Sequence, residues 1–394
     1  MDRVDTKSRL RSVLLGVYLN AGLLNQVAIK IIPSLGGLVL KGIYLFIIGL
    51  LFYDILLSRY IRLKIFQLLL PMVILIYFYG TYFLYDNLMT SSFLYFAIYV
   101  IVPFLLIQKI EYRDVIEVIM FTSILVLPVS GSFFILRKSF SDSISMGLTY
   151  TLLPTIVCAI IHFIYWRDSI VYYIFYCTNG FFLYRILLHG VRGPIICILI
   201  SIILLTCTRY DNNEHKIKIR SLPALIIGTL AIVIFSSFEV ILLAVKTMLD
   251  KLGINFYFIS KTLRLLNSSG VDNGRTDIFE LSLDEFFKSP IIGRGISMFR
   301  HYTGVVYPHN FILQLLCDGG IILTLVVMGV FIYHTIIFLL RCDDKEQYIF
   351  WIMLISVSIP AALFSGDLWE NYRFWVYMAF IVSRSFLLSD NEKP

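Results

Sequence analysis

A set of cationic side chains in this 394-residue chain has the chemistry of an anion site. The set comprises Arg192, Arg275, Arg294, Arg300, His301 and His309. A planar guanidinium binds phosphate through paired N–H groups and keeps its charge at any working pH. The chain has no Asp-x-Asp pair, no His-x-x-x-His motif and no Cys/His cluster, so we expect neither a bound metal nor a cofactor.

His309 has the side chain best suited to proton transfer, because an unperturbed imidazole titrates near neutral pH. It is either a general base for a hydroxyl group or a loop histidine without a chemical role. Asn310 precedes the apolar run FILQLL, which is the position of a helix N-cap. We expect Glu239 and Asp318 to support the site.

Two of the arginines admit simple structural explanations as well. Arg192 lies beside a glycine turn and could be an interfacial anchor. Arg275 begins the segment RTDIFELSLDEFFKS, whose apolar spacing predicts an amphipathic helix that ends at Pro290. A cation at the start of a helix is not stabilised by the helix dipole, so Arg275 should pair with an acid or bind an anion.

Composition indicates a polytopic membrane protein. The chain is 59% hydrophobic and 15% charged, whereas ordinary soluble domains are about 25% charged. The net charge of +7 comes from Lys and Arg in short segments between apolar runs, so it predicts orientation in a lipid bilayer and argues against nucleic-acid binding.

A bilayer-spanning helix needs about 20 predominantly apolar residues, which predicts an all-α bundle of about twelve spans. One membrane domain, 1–394, is expected, with its first span retained and a large helical loop at 245–308 between the ninth and tenth spans. The predicted spans are 12–32, 36–57, 63–84, 91–108, 115–136, 145–165, 169–189, 191–208, 222–244, 320–340, 347–365 and 371–388.

Basic residues concentrate in alternate short connections, so both termini are predicted to be cytoplasmic and the loop 245–308 extracytoplasmic. A lipid pyrophosphate in the outer leaflet is then the anion expected at the arginines. Several ionisable residues also fall near the outer ends of spans, which indicates a polar vestibule or, alternatively, Lys and Arg that snorkel to the interface. They are Lys30, Lys41, Arg185, Arg192, Glu239 and Arg373.

The segments GRTDIFELSLDEFFKSPIIGRG and HNFILQLLCDGG resemble the O-antigen polymerase and O-antigen ligase superfamily, as does VRGP upstream. The resemblance implies a class C glycosyltransferase-like fold in which Arg192 and Arg275 hold a donor pyrophosphate, with help from Arg294, and His309 assists the acceptor hydroxyl. Asp318 stands where the family usually has Glu, and Leu323 replaces a frequent second Gly. The helix after Asn310 is expected to be a re-entrant or interfacial piece that ends near Gly320.

The resemblance implies a metal-independent, inverting glycosyltransferase of the bacterial cytoplasmic (inner) membrane that builds lipopolysaccharide or capsule glycan. We expect a polymerase that moves a growing glycan from polyprenyl (undecaprenyl) pyrophosphate to the next lipid-linked repeat unit. Expected partners are the lipid-linked donor and acceptor, a chain-length regulator and a flippase. The alternatives are an O-antigen ligase, which transfers the glycan to lipid A core, and a lipid-glycan flippase or transporter.

Overall fold

A computed structural model describes residues 3–58, 65–85, 96–129, 142–167, 169–189, 192–236, 238–251, 259–260, 262–263 and 275–390. Within these residues the chain is mostly helical, as predicted. The principal helices are α1 (Arg3–Leu19), α2 (Ala21–Ile31), α3 (Gly36–Ser58), α4 (Ile65–Tyr85), α5 (Val102–Leu106), α6 (Tyr112–Phe121), α7 (Asp142–Tyr165), α8 (Tyr172–His189), α9 (Arg192–Cys207), α10 (Ser221–Ser236), α11 (Phe238–Lys251), α12 (Arg275–Lys288), α13 (Phe299–Thr303), α14 (Phe311–Arg341), α15 (Lys345–Phe364) and α16 (Tyr372–Asp390). Shorter helical turns are Pro33–Leu35, Ala97–Ile101 and Thr122–Val126.

Four described helices are long and apolar enough to cross a membrane. They contain the segments Gly37–Asp54, Gly147–Tyr165, Phe311–Arg341 and Lys345–Phe364. A fifth candidate combines Ser8–Leu19 with Ala21–Ile31, which meet at a bend of 60°. The count of about twelve spans therefore stays a prediction, although several shorter helices, such as α9, coincide with predicted spans.

The last two helices form the centre of the packed core. Aromatic side chains on α15 and α16 are fully buried, and these helices pack against each other, with α15 also packing on α7 and α9. The largest of these side chains are Tyr348, Phe350, Phe374, Trp375, Tyr377 and Phe380. This packing brings α7, α9 and α16 together, although they are far apart along the chain.

One short β-ribbon departs from the predicted all-α fold. Strand β1 (Thr208–Asp211) pairs antiparallel with strand β2 (Lys216–Ile219), and Thr208 lies opposite Ile219. The segment DNNEH supplies polar turn residues between two β-forming stretches, which explains the hairpin. The ribbon connects α9 to α10 and changes no predicted site residue.

The long helix α14 is broken at Gly320, as the predicted boundary near this residue implied. Gly320 has φ 60° and ψ −163°, a backbone region that only glycine adopts readily. The break leaves carbonyl and N–H groups without helical partners. The segment Pro290–Gly295 binds to these groups: Arg294 N and Gly295 N donate to the carbonyls of Cys317 and Asp318 at 2.8 and 2.9 Å.

The same segment also caps the second half of α14. Ile321 N donates to the Pro290 carbonyl at 2.9 Å and Ile322 N to the Ile291 carbonyl at 3.2 Å. The two backbones come so close that a Cβ on Gly293 would lie 2.5 Å from the main chain of Asp318 and Gly319. The glycines after Pro290, which the sequence identifies as a turn, therefore join the segment Pro290–Gly295 to the broken helix.

The predicted helix before Pro290 is confirmed as α12. Its buried positions include Ser282 and Glu285, whereas Leu283 and Phe287 are 40% and 70% exposed. The apolar residues of its amphipathic pattern therefore do not all pack onto the protein. Cys317 of α14 donates its thiol to the Ser282 carbonyl at 3.0 Å, which helps to hold α12 against the first half of α14.

Candidate active site

His309 lies immediately before α14 and has an uncommon backbone conformation. Its φ of 57° is in the left-handed region, which non-glycine residues rarely adopt. The imidazole is half-buried, and its ring centroid lies 4.4 Å from that of Tyr307. Nδ1 is buried and has no hydrogen-bond partner within the described part of the chain. Burial and then the positive charge of Arg275 lower the pKa of His309 from its ordinary value, which favours the neutral form of the ring.

Asn310 fixes the start of the helix that follows His309. Its backbone is extended, and its side-chain Oδ1 accepts hydrogen bonds from Ile312 N at 2.9 Å and Leu313 N at 3.2 Å. This is the N-cap geometry expected from the sequence, and such a cap contributes about 1 kcal/mol. Asn310 thus positions His309 through the backbone.

Arg192 and Arg275 lie in the same region as His309. The positive charge of Arg275 acts on Arg192, on His309 and on the Tyr150 hydroxyl. Arg192 begins α9 and Arg275 begins α12, so each cation stands at the positive end of a helix dipole. Two helix starts and two guanidiniums near a neutral imidazole form a site for a multiply charged anion next to a proton acceptor.

Two tyrosines join the arginine side of the site to His309. The Tyr150 hydroxyl lies against Gly193, where an added Cβ would be 1.7 Å from it. Ser365 lies close to both Tyr150 and Tyr307, and Tyr307 also lies close to Gly366. The chain of contacts therefore runs from α9 through Tyr150, Ser365 and Tyr307 to His309.

Arg294 makes different contacts from the other predicted arginines. Its Nη1 lies 3.7 Å from the carboxylate of Glu285, and its guanidinium stacks 3.9 Å from the centre of the Tyr302 ring. Lys288 also pairs with Glu285. These contacts fix the side chain of Arg294, which belongs to the segment Pro290–Gly295 that contacts the break in α14. Arg294 is therefore suited to positioning that segment.

Asp318 lies near the end of the first half of α14 and is 1% exposed. Its Oδ2 accepts a hydrogen bond from the Trp369 indole Nε1 at 2.7 Å. One turn earlier on α14, Gln314 accepts from Leu368 N at 2.8 Å. Asp318 and Gln314 therefore hold the segment 365–371, which contains Ser365, against α14. Asp367, in the same segment, accepts from Trp369 N at 2.8 Å.

Arg373 is a cation whose place in the site only the structure reveals. It is 6% exposed, and its Nη1 donates to the Tyr150 carbonyl at 2.7 Å. It is therefore not snorkelling to an interface, whereas Lys30 and Lys41 are exposed. In the sequence, the feature that pointed to Arg373 was its predicted position near the outer end of the last span. Tyr150, Tyr307 and Ser365 carried no such signal.

Two further predictions concern Glu239 and metals. Glu239 belongs to α11, but its side chain lies outside the described part of the structure. Within the described residues, no group of three or more His, Cys, Asp or Glu side chains could hold a metal ion.

Comparison with known families gives one match. Residues 178–328 match the family described as O-antigen ligase. The matched range contains Arg192, Arg275, Arg294, His309 and Asp318, whereas Tyr150, Ser365 and Arg373 lie outside it. No curated protein and no solved structure matches the chain significantly. The resemblance predicted from the sequence is confirmed by the family match.

Proposed function

We propose that this chain, whose residues 178–328 match the family described as O-antigen ligase, is a membrane polymerase of lipid-linked glycan. It would transfer a growing glycan from polyprenyl pyrophosphate to a sugar hydroxyl of the next lipid-linked repeat unit. The reaction would occur at the extracytoplasmic face of the bacterial cytoplasmic membrane, within a bundle of about twelve spans whose termini are both cytoplasmic.

The convergence of Arg192, Arg275 and His309 carries this proposal. The two cations are within electrostatic range of each other, and Arg275 is within range of the imidazole. A pyrophosphate needs cationic ligands, and an acceptor hydroxyl needs a base near the anomeric carbon. The site offers the cations, Arg192 and Arg275, and the base, His309, close to one another.

The proposed reaction is a direct displacement at the anomeric carbon. The acceptor oxygen forms a bond to that carbon while the bond between the carbon and the phosphate oxygen breaks. The hydroxyl proton passes to an imidazole nitrogen of His309, and the electron pair of the broken bond leaves with the polyprenyl pyrophosphate. Attack opposite the leaving group inverts the anomeric configuration. No metal enters the step, because the arginines stabilise the added negative charge.

The expected contributions of His309 and of the arginines to the transfer rate can be estimated separately. Positioned general bases contribute about 10²- to 10⁴-fold in rate. A single preorganised donor to developing negative charge contributes about 10²- to 10³-fold. The lowered pKa of His309 keeps the imidazole neutral, which the proton-accepting role requires.

The central experiment uses the purified protein in lipid nanodiscs with a synthetic polyprenyl-pyrophosphate-linked repeat unit, read as a ladder of products on a gel. We expect His309→Ala to lower the rate about 10²- to 10⁴-fold. The matched control is His301→Ala, which removes an exposed histidine of the nearby helix α13. Wild-type rates from His309→Ala would refute the assignment.

The family description itself favours a second candidate, an O-antigen ligase that transfers glycan to lipid A core. The departures at Asp318 and Leu323 motivate the polymerase assignment. Cells that lack a polymerase display single repeat units on their surface, whereas cells that lack a ligase accumulate long undelivered chains. Movement of lipid-linked glycan across liposomes without elongation would instead indicate a transporter.

A further inference from the structure

Arg373 is a buried cation with no acidic partner among the described residues. It lies in the first turn of α16 and is 6% exposed. No ion pair connects it to a carboxylate within the described part of the chain, and its Nε is buried without a hydrogen-bond partner. The dipole of α16 does not stabilise a cation at this end. Since an uncompensated buried charge is strongly unfavourable, a compensating anion is expected nearby.

Pro154 explains the hydrogen bond that Arg373 makes to the Tyr150 carbonyl. Within helix α7, the Tyr150 carbonyl would normally accept from the N–H four residues later, but residue 154 is proline and has no N–H. Arg373 Nη1 donates to this carbonyl at 2.7 Å. A neutral donor would satisfy a carbonyl equally well, so this bond does not account for a permanent positive charge at this position.

The neighbours of Arg373 are components of the candidate active site. The Tyr150 hydroxyl lies against Gly193, the residue after Arg192, and within electrostatic range of Arg275. The charge of Arg373 also acts on Cys197 of α9, the helix that Arg192 begins. Arg373 thus contacts the Tyr150 carbonyl, Arg275 lies within electrostatic range of the Tyr150 hydroxyl, and Arg192 adjoins the glycine that this hydroxyl contacts. In apolar surroundings, such cations act strongly on a nearby anion.

We propose that Arg373 is the third cation of the pyrophosphate site and that its ligand is a diphosphate group, which supplies the missing compensating charge. This inference rests on the proposed function. Breaking the anomeric bond adds one negative charge to the diphosphate, so a further cation stabilises the leaving group more than the intact donor. Arg373 lies outside residues 178–328, so the C-terminal helices complete the site.

The test is a titration of the nanodisc-embedded protein with inorganic pyrophosphate, with thermal stabilisation as the measure of binding. We expect Arg373→Gln, which keeps a donor for the Tyr150 carbonyl but no charge, to weaken binding at least about tenfold. Arg373→Lys should restore most of the affinity. Arg209→Gln, which neutralises an exposed arginine of β1, is the matched control and should bind as the wild type does.

A second variant covers a folding defect caused by the bare carbonyl. In the double variant Pro154→Ala/Arg373→Gln, the N–H of residue 154 can bind the Tyr150 carbonyl, so this carbonyl no longer needs Arg373. The pyrophosphate affinity of the double variant is compared with that of Pro154→Ala alone.

Wild-type affinity in Arg373→Gln, together with lost affinity in Arg275→Gln, would overturn the role of Arg373 and leave the proposed function standing. If the wild type does not bind pyrophosphate, the diphosphate site itself is overturned, and the elongation assay then decides the proposed function separately. Weak binding by both Arg373→Gln and the double variant, with rescue by lysine, supports the inference.

Discussion

Gly293 makes the contact on which the broken helix depends, and Gly293→Ala tests it. Gly293 has φ 68°, and an added Cβ would lie 2.5 Å from the carbonyl carbon and oxygen of Asp318 and from the nitrogen of Gly319. All three atoms belong to the main chain, so no flexible side chain can move aside. Alanine should therefore push the Gly293–Gly295 backbone away from the carbonyls of Cys317 and Asp318.

The expected loss of unfolding free energy in Gly293→Ala has two parts. A left-handed alanine costs about 1–2 kcal/mol relative to glycine. Displacement of the segment also breaks the bonds from Arg294 N and Gly295 N to the carbonyls of α14. Each buried acceptor left without a donor costs about 1–3 kcal/mol, so we expect a total loss of roughly 3–8 kcal/mol. Gly304→Ala supplies the control, because Gly304 has φ 74° but open space around its Cα.

The measurement is the free energy of unfolding of each variant in mixed micelles, followed by tryptophan fluorescence during titration with a denaturing detergent. We expect Gly293→Ala to be less stable than Gly304→Ala by roughly 2–6 kcal/mol, the share of the two lost acceptors. Gly293→Ala should also lower the transfer rate, since the first half of α14 positions His309. Equal stabilities of the two variants would refute the idea that close backbone contact at Gly293 holds the helix break.

The remaining predictions concern proton transfer and the support beneath α14. Transfer that requires neutral His309 should be constant above its lowered pKa and fall as the solution becomes more acidic. In Arg275→Gln one of the two causes of that lowering is removed, so the acidic limb of the rate profile should move to higher pH, and an unchanged limb would contradict a shared site. Trp369→Phe removes the donor to the buried carboxyl group of Asp318 and should cost about 1–3 kcal/mol of unfolding free energy. Trp375→Phe, whose indole donates at the longer distance of 2.9 Å to a backbone carbonyl, should cost less, and the reverse order would refute the role of the carboxyl group.

The local features of this protein followed from local patterns in its sequence. The apolar segments, the amphipathic helix before Pro290, the Asn310 cap and the boundary near Gly320 all depend on a few adjacent residues. Propensity, capping and glycine conformation act over such short distances, so each could be predicted without knowledge of the fold.

The β-ribbon and the surroundings of Arg294 show where local patterns were insufficient. Four residues on each side of a polar turn formed strands because they pair with each other, at a place predicted to be a simple connection. Arg294 has the residue type of a phosphate ligand, but Glu285 and Tyr302 lie beside it. Residue type gives the chemistry that a side chain can perform, while its neighbours determine which part of that chemistry is available.

The sequence by itself determined a helical membrane protein with arginines and a histidine able to bind an anion and accept a proton. Only the tertiary structure decided that Arg192 and His309 both lie within electrostatic range of Arg275 and that Arg373 is buried against the Tyr150 carbonyl. Such meetings depend on how α7, α9, α12 and α16 pack, and packing sums many weak contacts between residues far apart along the chain. No short pattern encodes that sum, so the proline-freed carbonyl and its buried cation became visible only in three dimensions.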